Sequence, residues 1–254
     1  MLKQFPAHIQ ETATKQKSLL DLAIEQYDLA AKNFYSCVEN SAKAVEGGTP
    51  SQAIEIKSKR QEKLAQTKRH LEHQKMSLLA MAQVQADLDE YRAAGKAAVS
   101  GVDRKAQQSG LAALHEEKHH GTGLTTLEKY LQADARPRPS KSHSAHHIIP
   151  GKGRKQTMGR ATRNYAYQAR ALLHTFGIRI NDPDNGVWLP RSVAELVSYA
   201  MPDAKAHKQY HTNAYEEYVY RAVRPQRTET AFRDRLRALG RELQSNTLKL
   251  KRPE

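Results

Sequence analysis

The hydrophobic pattern of the chain changes at residues 135–144, and this change divides it into two regions with different expected folds. The segment reads Ala-Arg-Pro-Arg-Pro-Ser-Lys-Ser-His-Ser. Its proline, serine and basic residues are typical of an exposed linker, because they bury little apolar surface and interrupt regular structure. We therefore expect a helical N-terminal region over residues 1–137 and a second domain over residues 138–254.

Before the linker, apolar residues recur at spacings of three and four, which predicts amphipathic helices. The first helix is expected from Ser18 to about Val45, and two glycines follow it. The sequence Thr-Pro-Ser-Gln at 49–52 offers a cap, a first-turn proline and a Gln three residues after the cap, so a second helix should begin there and run to about Ala94. We expect these two helices to form an antiparallel hairpin over residues 12–95. Two shorter helices should follow, over 111–117 and 125–131.

After the linker, strand and helix signals alternate. Ile148-Ile149-Pro150 is expected to be a short strand, and a basic glycine-rich loop follows it. A helix is expected from about Arg160 to Phe176, with Gly177 as a left-handed cap. Residues 178–180 and 187–190 are expected to be the strands of a hairpin, because the turn between them ends on Asn-Gly.

Three more helices are expected near the C-terminus. Ser192 and Glu195 form a capping box that predicts a short helix to about Ala200. The next helix should carry His207 and His211, and the last, over 229–243, is a basic amphipathic helix whose arginines should form a solvated face. The fold class is thus α+β and mostly α.

Composition restricts the kinds of site that the chain can build. A single cysteine, Cys37, leaves neither a disulfide framework nor a cysteine-rich zinc site, so any metal must be bound by His, Asp, Glu or Asn. Lys and Arg number 41 against 27 acidic residues, a net charge of +14, which favours a polyanionic partner. Nucleic acid is the leading candidate, although an anionic membrane surface or an acidic protein also fits. No secretory signal or apolar run of about 20 residues is visible, so we expect a soluble chain made in the cytoplasm.

Four histidines form the most informative pattern. His146 and His147 are adjacent in Ala-His-His-Ile-Ile-Pro, and neighbouring strand residues point to opposite faces, so one imidazole can bind a metal while the other faces a substrate phosphate. His207 and His211 lie four residues apart, which on a helix suits two ligands of one ion. With His146 they would supply three nitrogen ligands and leave positions open for water and a phosphate oxygen.

Two further groups are candidates for supporting roles. Asn185 could orient the basic histidine by a hydrogen bond, although it could also be only a turn residue. Lys152, Arg154 and Lys155 follow the histidine pair and are either phosphate contacts or a solvated loop. A second pair, His119-His120, precedes Gly-Thr-Gly without an apolar strand and is expected to be solvated.

Three motifs together resemble a known family. Ala-His-His-Ile-Ile-Pro, Asn-Gly-Val-Trp-Leu-Pro and His-Lys-Gln-Tyr-His-Thr-Asn-Ala-Tyr-Glu-Glu-Tyr-Val, in this order within residues 138–223, are similar to the AHH family of the HNH/endonuclease VII superfamily. Members of that family are common as toxin tips of bacterial polymorphic toxins and as type VI secretion effectors. The resemblance implies a ββα-metal nuclease domain and cleavage that leaves 5′-phosphate and 3′-hydroxyl ends. It also implies roles for the candidate residues: His146 as metal ligand, His147 as general base, Asn185 as positioning residue, and His207 and His211 completing the metal site.

The resulting hypothesis is a metal-dependent endonuclease that cleaves DNA with little sequence preference and uses one divalent ion, Zn²⁺, Mg²⁺, Mn²⁺ or Ni²⁺. As an antibacterial toxin it would be made in the bacterial cytoplasm, delivered by a specialised secretion system through its N-terminal helices, and active in the cytoplasm of the target cell. A dedicated, acidic immunity protein is then expected, and no membrane partner. Two alternatives remain open: an RNase on the same scaffold, and a non-catalytic helical adaptor with a structural metal site that binds nucleic acid or an acidic protein.

Overall fold

The computed structural model describes residues 19–43, 50–151, 156–158, 161–196 and 201–250, and the chain separates into two compact units, Met1–Ala82 and Gln83–Glu254. The first unit contains helix α1 (Leu19–Lys43) and the larger part of helix α2 (Pro50–Val99). Both helices expected in this region are confirmed, and α2 ends five residues later than expected. Their antiparallel pairing and the domain boundary at 137/138 stay predictions, and the first residues of the expected hairpin, 12–18, lie outside the described ranges.

Apolar side chains in the first unit are mostly exposed. Leu29 is 61% exposed and Ile54 is 70% exposed, and Leu71 is the one fully buried apolar side chain among the described residues of this unit. Its helices are supported locally by pairs one turn apart, such as Glu55 and Lys59, whose charged atoms lie 2.7 Å apart. Among the described helices, none is both long and apolar enough to span a membrane.

The second unit contains the end of α2 and five further helices: α3 (Arg104–His115), α4 (Thr122–Ala133), α5 (Tyr165–Thr175), α6 (Asn213–Val223) and α7 (Glu229–Gln244). Four of these begin at a side chain that accepts a backbone N–H of the first turn, which satisfies a donor that has no partner inside the helix. The capping residues are Asp103, Asn164, Thr212 and Thr228. Helix α5 ends at Thr175, and Gly177, which follows the C-cap residue Phe176, has a φ of +68° that confirms the expected left-handed cap.

Two small antiparallel sheets accompany the helices. Strand β1 (His143–His147) pairs with β4 (Gly186–Pro190), and β2 (Gln156–Met158) pairs with β3 (Ala161–Arg163). In the first sheet His146 lies opposite Val187 and His147 lies opposite Gly186. This register places the histidine pair at the end of β1.

The strands differ from those expected. Ile148-Ile149-Pro150 follows β1 instead of forming the strand, residues 161–163 are a strand instead of the start of a helix, and 178–180 are not a strand. The expected Asn-Gly hairpin is also wrong, because Pro183–Asn185 form a 3-10 helix whose cap, Asp182, accepts the N–H of Asp184. Short apolar segments carry no periodicity that separates a strand from buried coil, so their burial was predictable but their pairing was not.

The core lies between this sheet and the helices of the second unit. Ile148 and Ile149 are fully buried although they form no strand, because the N–H of Ile148 is donated to the carbonyl of Asn185 and that of Ile149 to the Asn185 side chain. Other fully buried members come from α4, α5, β4 and α7: Leu127, Leu131, Leu173, Leu189, Phe232, Leu236 and Leu239.

The arginines of α7 correct another expectation, since they do not form a uniformly solvated face. Arg233 is 12% exposed and contacts Asp182 and Asp184, which are 1% and 0% exposed, at 3.0 and 2.7 Å. Arg237 also contacts Asp184, at 2.7 Å, and Arg92 of α2 contacts Asp182, at 3.1 Å. Burial raises the pKa of Asp182, but Arg233 and Arg92 outweigh it and hold that pKa below its ordinary value. These contacts join α2 and α7 to the segment that precedes β4.

Candidate active site

The two adjacent histidines of β1 point to different surroundings, as expected for neighbouring residues of a strand. Both are nearly buried, with 6% and 8% of their surfaces exposed. The His146 ring lies 6.2 Å from the His207 ring and 5.7 Å from the His211 ring, centroid to centroid. The His147 ring instead lies 6.4 Å from the ring of His119.

His207 and His211 do not lie on one face of an α-helix, which corrects the reason for pairing them. His207 begins a 3-10 helix that ends at Tyr210, and α6 begins only at Asn213. The hydroxyl of Thr212 accepts the N–H of Tyr215, so Thr212 starts a new helix and interrupts the expected one. The two imidazoles nevertheless approach within 5.6 Å, centroid to centroid. His207 is half-buried and His211 is exposed.

The electrostatic environment of His146 keeps its imidazole neutral. Burial, followed by the proximity of His211, His147 and His207, lowers its pKa well below the ordinary value. Its Nε2 atom is buried and has no hydrogen-bond partner among the described residues. A neutral imidazole with a free nitrogen is the form that binds a metal ion.

The three rings of His146, His207 and His211 fit a divalent ion in chemistry and approximately in spacing. A tetrahedral ion bound at about 2.0–2.1 Å from each nitrogen places imidazole centroids about 5 Å apart. The observed separations are 5.6, 5.7 and 6.2 Å, so the rings would have to approach one another by about 1 Å. In the ranges that the structure describes, no three His, Cys, Asp or Glu side chains already have the spacing of a metal site.

The orientation of His147 is determined by Asn181. Its Nε2 lies 2.9 Å from Asn181 Oδ1, while Asn181 Nδ2 donates to Glu117 Oε1 at 2.8 Å and to the Lys118 carbonyl at 2.9 Å. Because both of those partners are acceptors, the amide must face them with its NH₂ group and face His147 with its oxygen. The proton of neutral His147 is therefore on Nε2, and Nδ1 carries the lone pair.

Burial also determines the charge state of His147. It lowers the pKa to about 4; the hydrogen bond to Asn181 opposes this shift, and proximity to His119 and His120 adds to it. His147 is consequently uncharged at neutral pH and can accept a proton at Nδ1.

Asn185 has a different role from the one proposed for it on sequence. Its Oδ1 accepts the N–H of Ile149 at 2.8 Å, and its Nδ2 donates to the carbonyls of Ile149 and Ile180 at 3.2 and 2.9 Å. The Asn185 amide thus holds the backbone that follows His147, and it is Asn181 whose oxygen accepts the hydrogen bond from the imidazole. Both asparagines belong to the same turn, and no sequence pattern distinguishes them.

Glu117 is a site residue that sequence reasoning missed. Its Oε1 accepts hydrogen bonds from Asn181 and from the hydroxyl of Tyr91, and its Oε2 lies 2.8 Å from Arg179 Nε. Tyr91 in turn accepts the backbone N–H of Asn181 at 3.0 Å. The orientation of His147 therefore depends on α2 and on the segment between α3 and α4, whose contacting residues lie 90 and 64 residues from Asn181 in sequence.

His119 lies at the site instead of being solvated, although its neighbour His120 is exposed as expected. Its Nδ1 lies 3.1 Å from the carbonyl of Glu117, which can only accept, so this nitrogen donates. The ring lies against Gly151, where an added Cβ would approach it to 2.0 Å. A side chain at position 151 would therefore require the His119 ring to move.

A cavity of about 230 Å³ joins these groups. All four histidines of the original pattern line it, together with His119 and the carboxylate-bearing Glu216, which is 5% exposed. The three basic residues after the histidine pair, Lys152, Arg154 and Lys155, lie outside the described residues, and their contact with phosphate stays a prediction.

Comparison with known proteins agrees with the motifs. Residues 127–249 match the model of AHH, a nuclease family of the HNH/ENDO VII superfamily with conserved AHH. In this chain the three letters correspond to Ala145, His146 and His147. No curated protein and no solved structure matches the chain. The segment 127–249 therefore belongs to the AHH family, and the family resemblance inferred from the motifs is confirmed.

Proposed function

We propose that this chain, whose residues 127–249 belong to a nuclease family, is a metal-dependent endonuclease that hydrolyses phosphodiester bonds of DNA with little sequence preference. The observation that carries the proposal is the convergence of an oriented, neutral imidazole and a three-histidine group on one cavity. Family membership supports a nuclease, whereas the choice of DNA and the metal dependence are our proposals.

The residues of the chain can divide the reaction between them. His147 accepts a proton at Nδ1 from the attacking water, because its hydrogen bond to Asn181 uses Nε2 and leaves the lone pair on Nδ1. His146, His207 and His211 would hold a divalent ion, which as a Lewis acid would stabilise the charge that develops on the phosphate. Nucleases of this superfamily generally use such an ion.

The net charge of +14 supports a polyanionic substrate, because cationic surface raises both the affinity for nucleic acid and the rate of encounter. DNA and RNA share the phosphodiester that the site would act on. An RNase on the same scaffold is therefore the alternative that keeps the proposed site and its mechanism and changes only the substrate.

The biological setting belongs to the same proposal. We place the chain among antibacterial toxins that are made in the bacterial cytoplasm and act in the cytoplasm of a target cell, with the N-terminal helices serving delivery. Support comes from the arrangement of a nuclease segment after a long helical region. An acidic immunity protein that covers the basic site is the expected partner.

The test is a nicking assay on supercoiled plasmid with added Mg²⁺, Mn²⁺, Ni²⁺ or Zn²⁺, with an RNA transcript as a parallel substrate. We expect the wild type to nick plasmid with at least one ion, and EDTA to stop it. His147→Ala should lose cleavage but retain metal in a calorimetric titration, whereas His146→Ala and His211→Ala should lose metal affinity. A folded, metal-loaded wild type that leaves plasmid intact would contradict the proposal, and cleavage of RNA alone would select the RNase.

A further inference from the structure

A second cavity continues from the candidate active site. It has a volume of about 550 Å³ and shares His119, His120 and Gly151 with the cavity of the metal-binding histidines. Its walls are the segment 115–120 and the first turns of α5. The volume lies within the range of about 300–1,000 Å³ that small-molecule and nucleotide-sized groups occupy. A group bound there would be adjacent to the site of cleavage.

The half-exposed ring of Tyr167 lines this cavity. It lies in the first turn of α5, is 51% exposed and does not belong to the core. Its ring stacks on the His115 ring at 4.9 Å and 12°, and the guanidinium of Arg170 lies 5.8 Å from its centroid. Arg170 Nε also donates to His115 Nδ1 at 3.2 Å, so the three side chains support one another. The tyrosine ring is thereby held in place at the surface.

The charges around this ring favour an anion. Lys118 is exposed and Arg170 is half-buried, and neither forms a salt bridge with a carboxylate of the described residues. Glu117 is neutralised by Arg179, which leaves the exposed Glu116 as the remaining acidic group of the wall. The cavity therefore combines a fixed aromatic face with an excess of cationic groups, the combination that binds unpaired nucleotides.

We propose that this cavity binds the nucleotide next to the scissile phosphate, with its base stacked on Tyr167 and its phosphate near Lys118 and Arg170. A base can stack on a protein ring only when it is unpaired and separated from its neighbours in the strand. The preferred substrate is therefore a single-stranded nucleic acid or an unpaired stretch of a duplex. The inference rests on the proposed nuclease function. It adds that the substrate is single-stranded or unpaired. The residues 115–120 that line the cavity precede the segment matched by the family.

The test measures binding separately from cleavage. A fluorescent single-stranded oligonucleotide and the same sequence in a closed hairpin duplex are titrated with His147→Ala, which removes the proposed base. Adding Tyr167→Leu should weaken single-strand binding by about 5- to 100-fold, the range expected for one base–aromatic stack. Tyr167→Phe should retain it, because the ring remains. The matched control is Tyr35→Leu, a tyrosine of α1 that is 64% exposed and remote from the cavity in sequence; it should change nothing.

Lys118→Gln tests the phosphate contact independently of the aromatic ring. It should lower the slope of log affinity against log salt concentration by about 0.7, the value for one phosphate contact on a single strand. The inference is overturned if Tyr167→Leu binds the single strand as tightly as its parent, or if the duplex is bound as tightly as the single strand. Binding that depends on Tyr167 in a chain that cleaves nothing would refute the nuclease and leave this site standing. If Tyr167→Leu cleaves nucleic acid with the KM of the wild type, the nuclease function stands and the proposed nucleotide site at Tyr167 is refuted.

Discussion

The tautomer of His147 is determined by hydrogen bonds that end on an ion pair. Asn181 accepts the imidazole proton because its own NH₂ group is held by Glu117 and by the Lys118 carbonyl. Glu117 is held in turn by Arg179 and Tyr91. Asn181 is therefore fixed by three hydrogen bonds before a substrate binds. Its contribution should appear in the rate of cleavage and hardly in the affinity for the substrate.

We expect Asn181→Leu to lower kcat by about 10- to 100-fold, the usual effect of losing a partner that orients a site histidine. KM should remain close to that of the wild type, because Asn181 does not reach the substrate. Steady-state cleavage of a labelled oligonucleotide provides both constants. If KM rises while kcat is unchanged, Asn181 is not a positioning residue.

Asn185 should give the opposite result. Asn185→Ala leaves the buried N–H of Ile149 without its acceptor, which we expect to lower the free energy of unfolding by about 1–3 kcal/mol. Urea denaturation measures this loss, and kcat of the folded fraction should change much less than in Asn181→Leu. Equal losses of kcat in the two variants would contradict this division of roles.

At the scale of elements, helix periodicity predicted most of the fold and tertiary contacts determined the rest. The helices at 19–43, 50–99 and 229–244 followed from apolar spacing and capping residues. The β1–β4 pairing did not, because it joins segments about 40 residues apart and Ile178-Arg-Ile180 offered an equally apolar alternative. The four histidines were singled out from the sequence as an adjacent pair and a pair four residues apart, although the second pair does not lie on one α-helix. Asn181, Glu117 and His119 were not, since their roles arise from contacts over long sequence separations.

The contact of α7 with the segment 181–185 should be costly to break. In Arg233→Ala, the buried Asp182 and Asp184 lose a shared partner but keep Arg92 and Arg237. The free energy of unfolding should therefore fall by about 1.5–3 kcal/mol, the range for hydrogen bonds to a charged group. The matched control is Arg241→Ala, on the same helix but exposed, which should change it by less than about 0.5 kcal/mol. Urea denaturation of both variants makes the comparison. Similar stability in both would mean that the buried carboxylates find other partners.

The end of α5 should make the protein sensitive to acid. His174 is fully buried, its Nδ1 donates to the carbonyl of Ile178, and burial lowers its pKa to about 4. The unfolded chain, with a pKa near 6.5, binds a proton more readily, so stability is complete above pH 6.5 and falls as the pH drops toward 4. Between pH 7 and pH 5 this one residue should lower the free energy of unfolding by about 2 kcal/mol. In His174→Gln the midpoint of urea denaturation should fall less between pH 7 and pH 5 than in the wild type. An equal dependence of the midpoint on pH in the two proteins would show that His174 does not cause the sensitivity to acid.

At the scale of the whole molecule, the matched family segment is shorter than the structure that supports its site. Residues 127–249 match the family, yet Tyr91, Arg92 and Glu117 precede residue 127 and contact Asn181 or Asp182. These contacts all lie within the unit Gln83–Glu254. The family model therefore covers the four histidines, while part of the scaffold that orients His147 comes from residues outside the matched segment.

We expect a fragment of residues 83–254 to fold and to cleave nucleic acid at a rate close to that of the full chain. A fragment of residues 127–254 lacks Glu117 and His119, and it should show lower thermal stability and at least about a 10-fold lower kcat. Differential scanning fluorimetry and the cleavage assay test both fragments. Full activity in the shorter one would show that the family segment is sufficient.

The distribution of the site along the chain also determines when it can exist during synthesis. The side chains that line the cavity or support His147 come from four separate stretches, near residues 117, 146, 181 and 211. Arg233, which contacts the third of them, is translated after all four. A growing polypeptide therefore exposes each histidine to the ribosome and its RNA before the histidines can assemble. The contacts of Arg233 with Asp182 and Asp184 form only after α7 has emerged, so the support of the candidate site is completed late in synthesis.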